Sequence, residues 1–177
     1  MINTAERAIL FANGEALAPD RLALQPQDLL IAVDGGLRHL ETLGLNPHWL
    51  VGDFDSISPE QLTAARARGV SIRQFPSEKD QTDLELGFEL ALQLGYAQLV
   101  IAFGLGGRLD HTLGNLALLS RPDLAGRSLH FDDGLCEVWL VTQTLTLPAT
   151  SGDLISLLPW HTPAQGIRTH GLVYPLK

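Results

Sequence analysis

Cysteine is almost missing from this chain: Cys136 is the single one in 177 residues. An intrachain disulfide is therefore impossible, and Cys-rich zinc sites are excluded. Such usage fits a reducing cytoplasm. Positive charge is also scarce, with 12 Lys and Arg against 20 Asp and Glu and a formal net charge of −8. That balance argues against a nonspecific nucleic-acid binder, since phosphate backbones attract basic surfaces. A single nucleotide stays admissible as a ligand, because a bound divalent cation supplies positive charge locally. Residues 1–14 include acidic Glu6 and only a short apolar run, Ala8–Ala12. They are expected to form neither a secretory leader nor a membrane span. Internal repeats and low-complexity linkers are lacking too. What remains is 45% hydrophobic and 18% charged, an ordinary globular composition. The length suits one medium domain or two small ones.

Up to about Gly126, short apolar runs alternate with helical stretches. The runs are Ala8–Ala12, Leu29–Val33, Trp49–Val51, Ser71–Phe75 and Leu99–Phe103. They are nearly continuous and often β-branched, as in strands buried on both faces. Ser58-Pro59-Glu60-Gln61 offers an N-cap, a first-turn proline and a capping-box glutamine, and Gly69 closes that helix. Thr82-Asp83-Leu84-Glu85 is a second capping box, opening a helix that Gly95 ends. A further helix runs from about Asp110 to Leu119 and stops before Arg121-Pro122. This alternation predicts an α/β domain over 1–126, a mostly parallel sheet flanked by helices. After Gly126 the strand candidates are Ser128–Phe131, Glu137–Val141, Thr144–Leu147, Leu154–Leu158 and Ile167–Thr169, punctuated by Gly and Pro. They predict a small antiparallel, sandwich-like β domain over 127–177. It is marginal for a core of its own and is expected to pack on the first domain or on another subunit.

Four clusters sit just after the expected strands or open the next helix, where ligands of open parallel sheets bind. Asp34-Gly35-Gly36 is a strand-end carboxylate with two glycines that let backbone approach a ligand, although alone it is also an ordinary turn. In Gly52-Asp53-Phe54-Asp55-Ser56, extended backbone would point Asp53 and Asp55 the same way, with Phe54 turned into the core. Paired carboxylates repel unless a cation compensates, and oxygen-only ligands favour magnesium. In Lys79-Asp80-Gln81-Thr82-Asp83, Thr82 and Asp83 can be simple capping residues; equally, Asp80 and Asp83 can join the metal site while Lys79 meets phosphate. Gly104-Leu105-Gly106-Gly107-Arg108-Leu109-Asp110-His111 suits close approach to a phosphate, with Arg108 offering a bidentate fork and Asp110 fixing it or accepting from a ribose or base. His111 suits capping or packing better than catalysis. The glycine spacing is neither a Walker loop nor a dinucleotide fingerprint. No Ser-His-Asp arrangement is compelling, and Trp160, His161 and His170 read as packing or surface residues.

In this order and spacing the clusters resemble the thiamine pyrophosphokinase (thiamin diphosphokinase) family. The matching stretches are Asp34-Gly35-Gly36-Leu37-Arg38, Gly52–Ser56, Lys79–Glu85 and Gly106–His111, with Asn115 following; Gly171-Leu172-Val173-Tyr174-Pro175-Leu176 resembles the family's Gly-x-x-Tyr-Pro-Leu signature. The resemblance implies an enzyme that moves diphosphate from ATP to thiamine, giving AMP and thiamine diphosphate, with Mg2+ as cofactor. It implies Asp53, Asp55, Asp80 and Asp83 for metal binding and catalysis, with Asp34 close behind. Nucleotide contacts fall to Asp34, Gly35, Gly36, Arg38, Lys79, Thr82, Gly107, Arg108, Asp110 and His111, and thiamine contacts to Asp55, Asp80 and Asn115. It also implies a homodimer; with the cysteine usage, the charge balance and the N-terminal pattern above, a cytoplasmic protein that binds neither nucleic acid nor membrane is expected. Family members continue for a few tens of residues past Tyr-Pro-Leu, so a C-terminally shortened form is expected, with the nucleotide half better preserved than the thiamine half. Two alternatives remain: a diphosphokinase for another alcohol such as hydroxymethylpterin, and a nucleotide-binding module without turnover.

Overall fold

The computed structural model describes residues 3–176. Its strands are β1 (Asn3–Phe11), β2 (Leu29–Val33), β3 (Trp49–Gly52), β4 (Ser71–Gln74), β5 (Tyr96–Ala102), β6 (Ser128–Asp132) and β7 (Glu137–Trp139). They form one sheet in the order β4-β3-β2-β1-β5-β6-β7. Every pairing is parallel except β6 with β7. The helices are α1 (Leu37–Thr42), α2 (Pro59–Ala67), α3 (Asp83–Gln93) and α4 (Leu109–Ala117). None is long and apolar enough to cross a membrane.

Strand alternation divides the core into two layers. Leu10, Ile31, Val51 and Ile101 pack with Leu84, Phe88 and Ala91 of α3 and with Leu118 and Leu119 beyond α4. Ile9, Phe11, Leu30, Ala32 and Leu50 pack with Leu37 and Leu40 of α1 and Ala65 of α2. Both capping boxes form. Ser58 Oγ accepts from Gln61 N at 3.2 Å while Gln61 Oε1 accepts from Ser58 N at 3.1 Å. Thr82 Oγ1 accepts from Glu85 N at 3.2 Å while Glu85 Oε2 accepts from Thr82 N at 2.8 Å.

The chain divides into two compact units, the first ending at Thr142 and the second beginning at Gln143. This differs from the boundary expected at 126/127. Ser128–Asp132 pairs in parallel with β5, so β6 and β7 extend the main sheet rather than open a separate β domain. The antiparallel element is thus the β6–β7 pair at the sheet edge. Among the described residues from 143 onward, the strands expected at 144–147, 154–158 and 167–169 do not form. Local turns hold this unit instead, such as Asp153 N to Thr150 O at 3.0 Å and Thr169 N to Leu176 O at 3.2 Å. The physical reason is pairing: a strand needs a neighbour for its ladder and a layer for its apolar face, and Leu154, Leu158, Val173 and Tyr174 are all more than 80% exposed, at 96%, 83%, 88% and 87%.

β1 is flanked by β2 on one side and β5 on the other. The chain moves outward from β1 through β2, β3 and β4, then returns to lay β5 on the opposite side. That makes the C-terminal ends of β1 and β5 the topological switch point, the usual ligand crevice of such sheets.

Candidate active site at the strand ends

Three strand ends carry non-glycine residues in the left-handed region: Asp34 after β2 at φ 43°, Phe54 after β3 at φ 68°, and Phe103 after β5 at φ 56°. Such backbone costs about 1–3 kcal/mol per residue and gathers at functional sites. Two glycines make the convergence possible. A Cβ on Gly36 would stand 1.8 Å from Phe11 O, so only glycine lets the turn into α1 pass over β1. Gly52 sits at φ 150°, and a Cβ there would meet Asp34 Cβ at 3.0 Å.

The outcome is a cluster. Asp34, Asp53 and Asp83 each present a carboxylate oxygen within 4.8 Å of the other two. Asp34 is 7% exposed, and its Oδ1 is buried with no hydrogen-bond partner. Lys79 Nζ lies 3.4 Å from Asp53 Oδ2 and 3.1 Å from Asp83 Oδ1. Burial pushes the Asp83 carboxyl up; the lysine pulls it back, while the charges of Asp53 and Asp34 add to the rise. Asp53 is held below the usual carboxylate range, first by the N–H of Asp55 and then by Lys79, against some desolvation. For Lys79, burial acts downward, but its pairing with Asp83, and then with Asp53, outweighs it and raises the pKa. Three carboxylates against one ammonium leave a negative surplus. A surplus of oxygen ligands is what a hard divalent cation such as Mg2+ takes, so the donor set fits that ion.

Asp55 and Asp80, expected in the metal set, lie outside this group. The extended alternation assumed for Asp53-Phe54-Asp55 fails because Phe54 is left-handed. Phe54 does turn into the core, at 7% exposure. Asp55, however, is exposed, donating its N–H back to Asp53 Oδ1 at 3.1 Å and accepting from Ser56 Oγ at 2.9 Å. Asp80 is exposed on the loop before α3, whereas the Thr82 cap puts Asp83 in the first turn, facing the cluster. Asp34, expected beside the nucleotide and close behind the metal set, is a member of this cluster.

Other expected contacts hold the loops together. Arg38 Nη2 donates to Gly14 O at 2.9 Å and Asn13 O at 3.2 Å, clasping the end of β1 to α1. Asn115 Nδ2 donates to Gly104 O at 2.7 Å, tying α4 to the glycine loop. Gly107, Arg108, Asp110 and His111 are exposed. Arg108 is paired with Asp110 through Nε at 3.1 Å and through Nη2. That pairing, led by the hydrogen bond from Arg108, draws the Asp110 pKa down to about 2. Thr82 acts as the cap of α3.

Two features escaped the sequence reading. Asn13-Gly14 follows β1 at the switch point, where Gly14 N donates to Phe103 O at 2.8 Å and Glu15 N to Leu105 O at 3.2 Å. With Gly35, Leu37, Arg38, Ser56, Ile57 and Gln61, Asn13 lines a recess of about 130 Å³. Its signal is an Asn-Gly pair just after the first apolar run, the strand-end position that Asp34-Gly35-Gly36 also holds. The second is His39, 8% exposed, with Nε2 3.1 Å from Gly14 O and its ring 4.8 Å from that of Phe103.

Fold and site define a doubly wound α/β protein with an acidic cluster at its strand ends. Comparison with known proteins names the family: the "Thiamin pyrophosphokinase, catalytic domain" matches residues 21–129, and the chain belongs to that family. It is 37% identical over 105 residues to the thiamine pyrophosphokinase of Bacillus subtilis (strain 168), covering 58% of this chain and 49% of that one. The chain thus spans about half the length of this curated relative. Among solved structures, it is similar to thiamine pyrophosphokinase from Bacillus subtilis, with a TM-score of 0.61 and 30% identity over 72% of this chain and 60% of the other. A thiamin pyrophosphokinase family protein from Enterococcus faecalis aligns with a TM-score of 0.56 and 29% identity over 74% and 61%. The enzyme from Candida albicans, at 20% identity and a TM-score of 0.60 over 71% of this chain and 57% of the other, shares the fold.

Proposed function

We propose that this chain is a thiamine diphosphokinase, moving the terminal diphosphate of ATP to the hydroxyl of thiamine with release of AMP. The observation that carries the proposal is the convergence of Asp34, Asp53 and Asp83, with Asp34 Oδ1 buried and without a hydrogen-bond partner, in a chain of this family. These three carboxylates would hold Mg2+, which neutralises phosphate charge and aligns the diphosphate when bound. Lys79 and Arg108 supply further positive charge for phosphate, a role in which Arg108 leaves Asp110. Gly35, Gly36 and Gly107 allow close backbone approach of the nucleotide. Asp55 and Asp80, exposed and free of the metal group, are left for the acceptor hydroxyl together with Asn115. Residues beyond 126 contribute to acceptor recognition, and the enzyme acts as a cytoplasmic homodimer on small-molecule substrates, away from nucleic acid and membrane.

The test is AMP release from ATP and Mg2+ with thiamine or a hydroxymethylpterin as acceptor. AMP formed with thiamine alone is expected. AMP formed only with the pterin moves the acceptor assignment. MgATP binding without AMP from either leaves a nucleotide-binding module.

A further inference from the structure

The acidic cluster already contains a cation. The Lys79 ammonium stands 3.4 Å from Asp53 Oδ2 and 3.1 Å from Asp83 Oδ1, on a side chain only 15% exposed. It contacts two of the three carboxylates of the cluster and leaves Asp34 Oδ1, buried, with no partner. One ammonium offsets one of three negative charges, so the cluster keeps a negative surplus that attracts a divalent ion. An ion held by these oxygens and an ammonium held by the same oxygens would be like charges in contact range in a sheltered site, which is strongly unfavourable. Lysine is suited to leave. Its charge rides on a flexible four-carbon stem, and Lys79 lies on the irregular loop between β4 and α3 rather than within either element.

We infer that Lys79 is a resident counter-cation that a divalent ion must displace from Asp53 and Asp83, and that the freed ammonium then takes a phosphate oxygen as its partner. The inference rests on the metal reading given above. It makes Lys79 a positioning residue that links metal loading to nucleotide loading. In the metal-free protein the lysine keeps Asp53 and Asp83 close without an ion. In the loaded protein it is available to phosphate.

The test is calorimetric titration of Mg2+ alone, without nucleotide, into the wild-type chain and into Lys79→Met, which keeps the stem and removes the charge. Lys79→Gln serves as a second variant with a polar end, and thermal unfolding checks both for folding. Both variants are expected to bind Mg2+ about tenfold more tightly than wild type, the size that follows from removing one partly screened competing charge. Equal or weaker binding in the variants, with clear binding in the wild type, overturns the inference and leaves the metal site standing. No binding in any of the proteins overturns both.

Discussion

Asp34 keeps a carboxylate at 7% exposure with Oδ1 unpartnered, close to Asp53 and Asp83. Without metal, that arrangement opposes folding, because a buried polar atom without a hydrogen-bond partner is costly. Asp34→Asn removes the charge and little volume. It should therefore raise the thermal midpoint measured in EDTA, by an amount corresponding to about 1 kcal/mol, while lowering AMP release by more than about 100-fold. A fall in the midpoint would show that Asp34 is stabilising the metal-free fold instead. Asp55→Asn separates the two proposed roles. Because Asp55 lies outside the cluster, Mg2+ affinity should stay within about twofold, and kcat should drop about 100-fold if its carboxylate serves the acceptor hydroxyl. These distinctions were only partly legible in the sequence. The Asp-rich strings announced an acidic site at strand ends, and Thr82-x-x-Glu85 announced a cap. The left-handed backbone at Phe54 could not be read, since nothing in a phenylalanine signals positive φ, and it is this backbone that separates Asp55 from Asp53. An Asp-Gly-Gly string is equally an ordinary turn, so on its own it does not announce Asp34 as a cluster member.

At the scale of elements, α3 is the one that carries chemistry into the site, since its first residue, Asp83, is a cluster member and its cap is Thr82. Thr82→Ala should cost about 1 kcal/mol in urea denaturation, the usual value of an N-cap. It should also weaken Mg2+ binding, because fraying of the first turn moves Asp83. Unchanged metal affinity would mean that the cluster does not depend on the cap. Parallel strands and capped helices were readable because burial on both faces and capping chemistry are local properties. α1 has little signal in the sequence: it has six residues, starts from two glycines and shows only Leu37 and Leu40 as an apolar pair. β6 and β7 are legible as strands, but their place in the main sheet is not, because which neighbour a strand pairs with is decided by tertiary contacts.

Taken as a whole, the molecule should show a pH dependence traceable to its sheet edge. His130 on β6 stacks on Trp139 of β7 at 3.8 Å between ring centroids, and its Nδ1 is buried without a partner. Burial, assisted by the charge of Arg7 and opposed by that of Glu137, lowers its pKa from 6.5 to about 4. The unfolded chain therefore binds a proton on this histidine at a higher pH than the folded one does. Its contribution is fully present above the unfolded pKa of 6.5 and is lost as pH falls toward 4, by up to about 3 kcal/mol. Urea denaturation across that range should show the decline in the wild-type chain and a shallower one in His130→Gln. Equal slopes would place the acid sensitivity elsewhere, with the carboxylates.

Diffraction from crystals grown with Mn2+, a hard-site stand-in for Mg2+ with a measurable anomalous signal, addresses the acidic cluster directly. The expected result is a single strong anomalous peak coordinated by Asp34, Asp53 and Asp83, with the Lys79 ammonium moved off Asp53 and Asp83. A well-ordered site without that peak, or a peak held by Asp55 and Asp80 alone, would contradict the assignment of the metal to these three carboxylates.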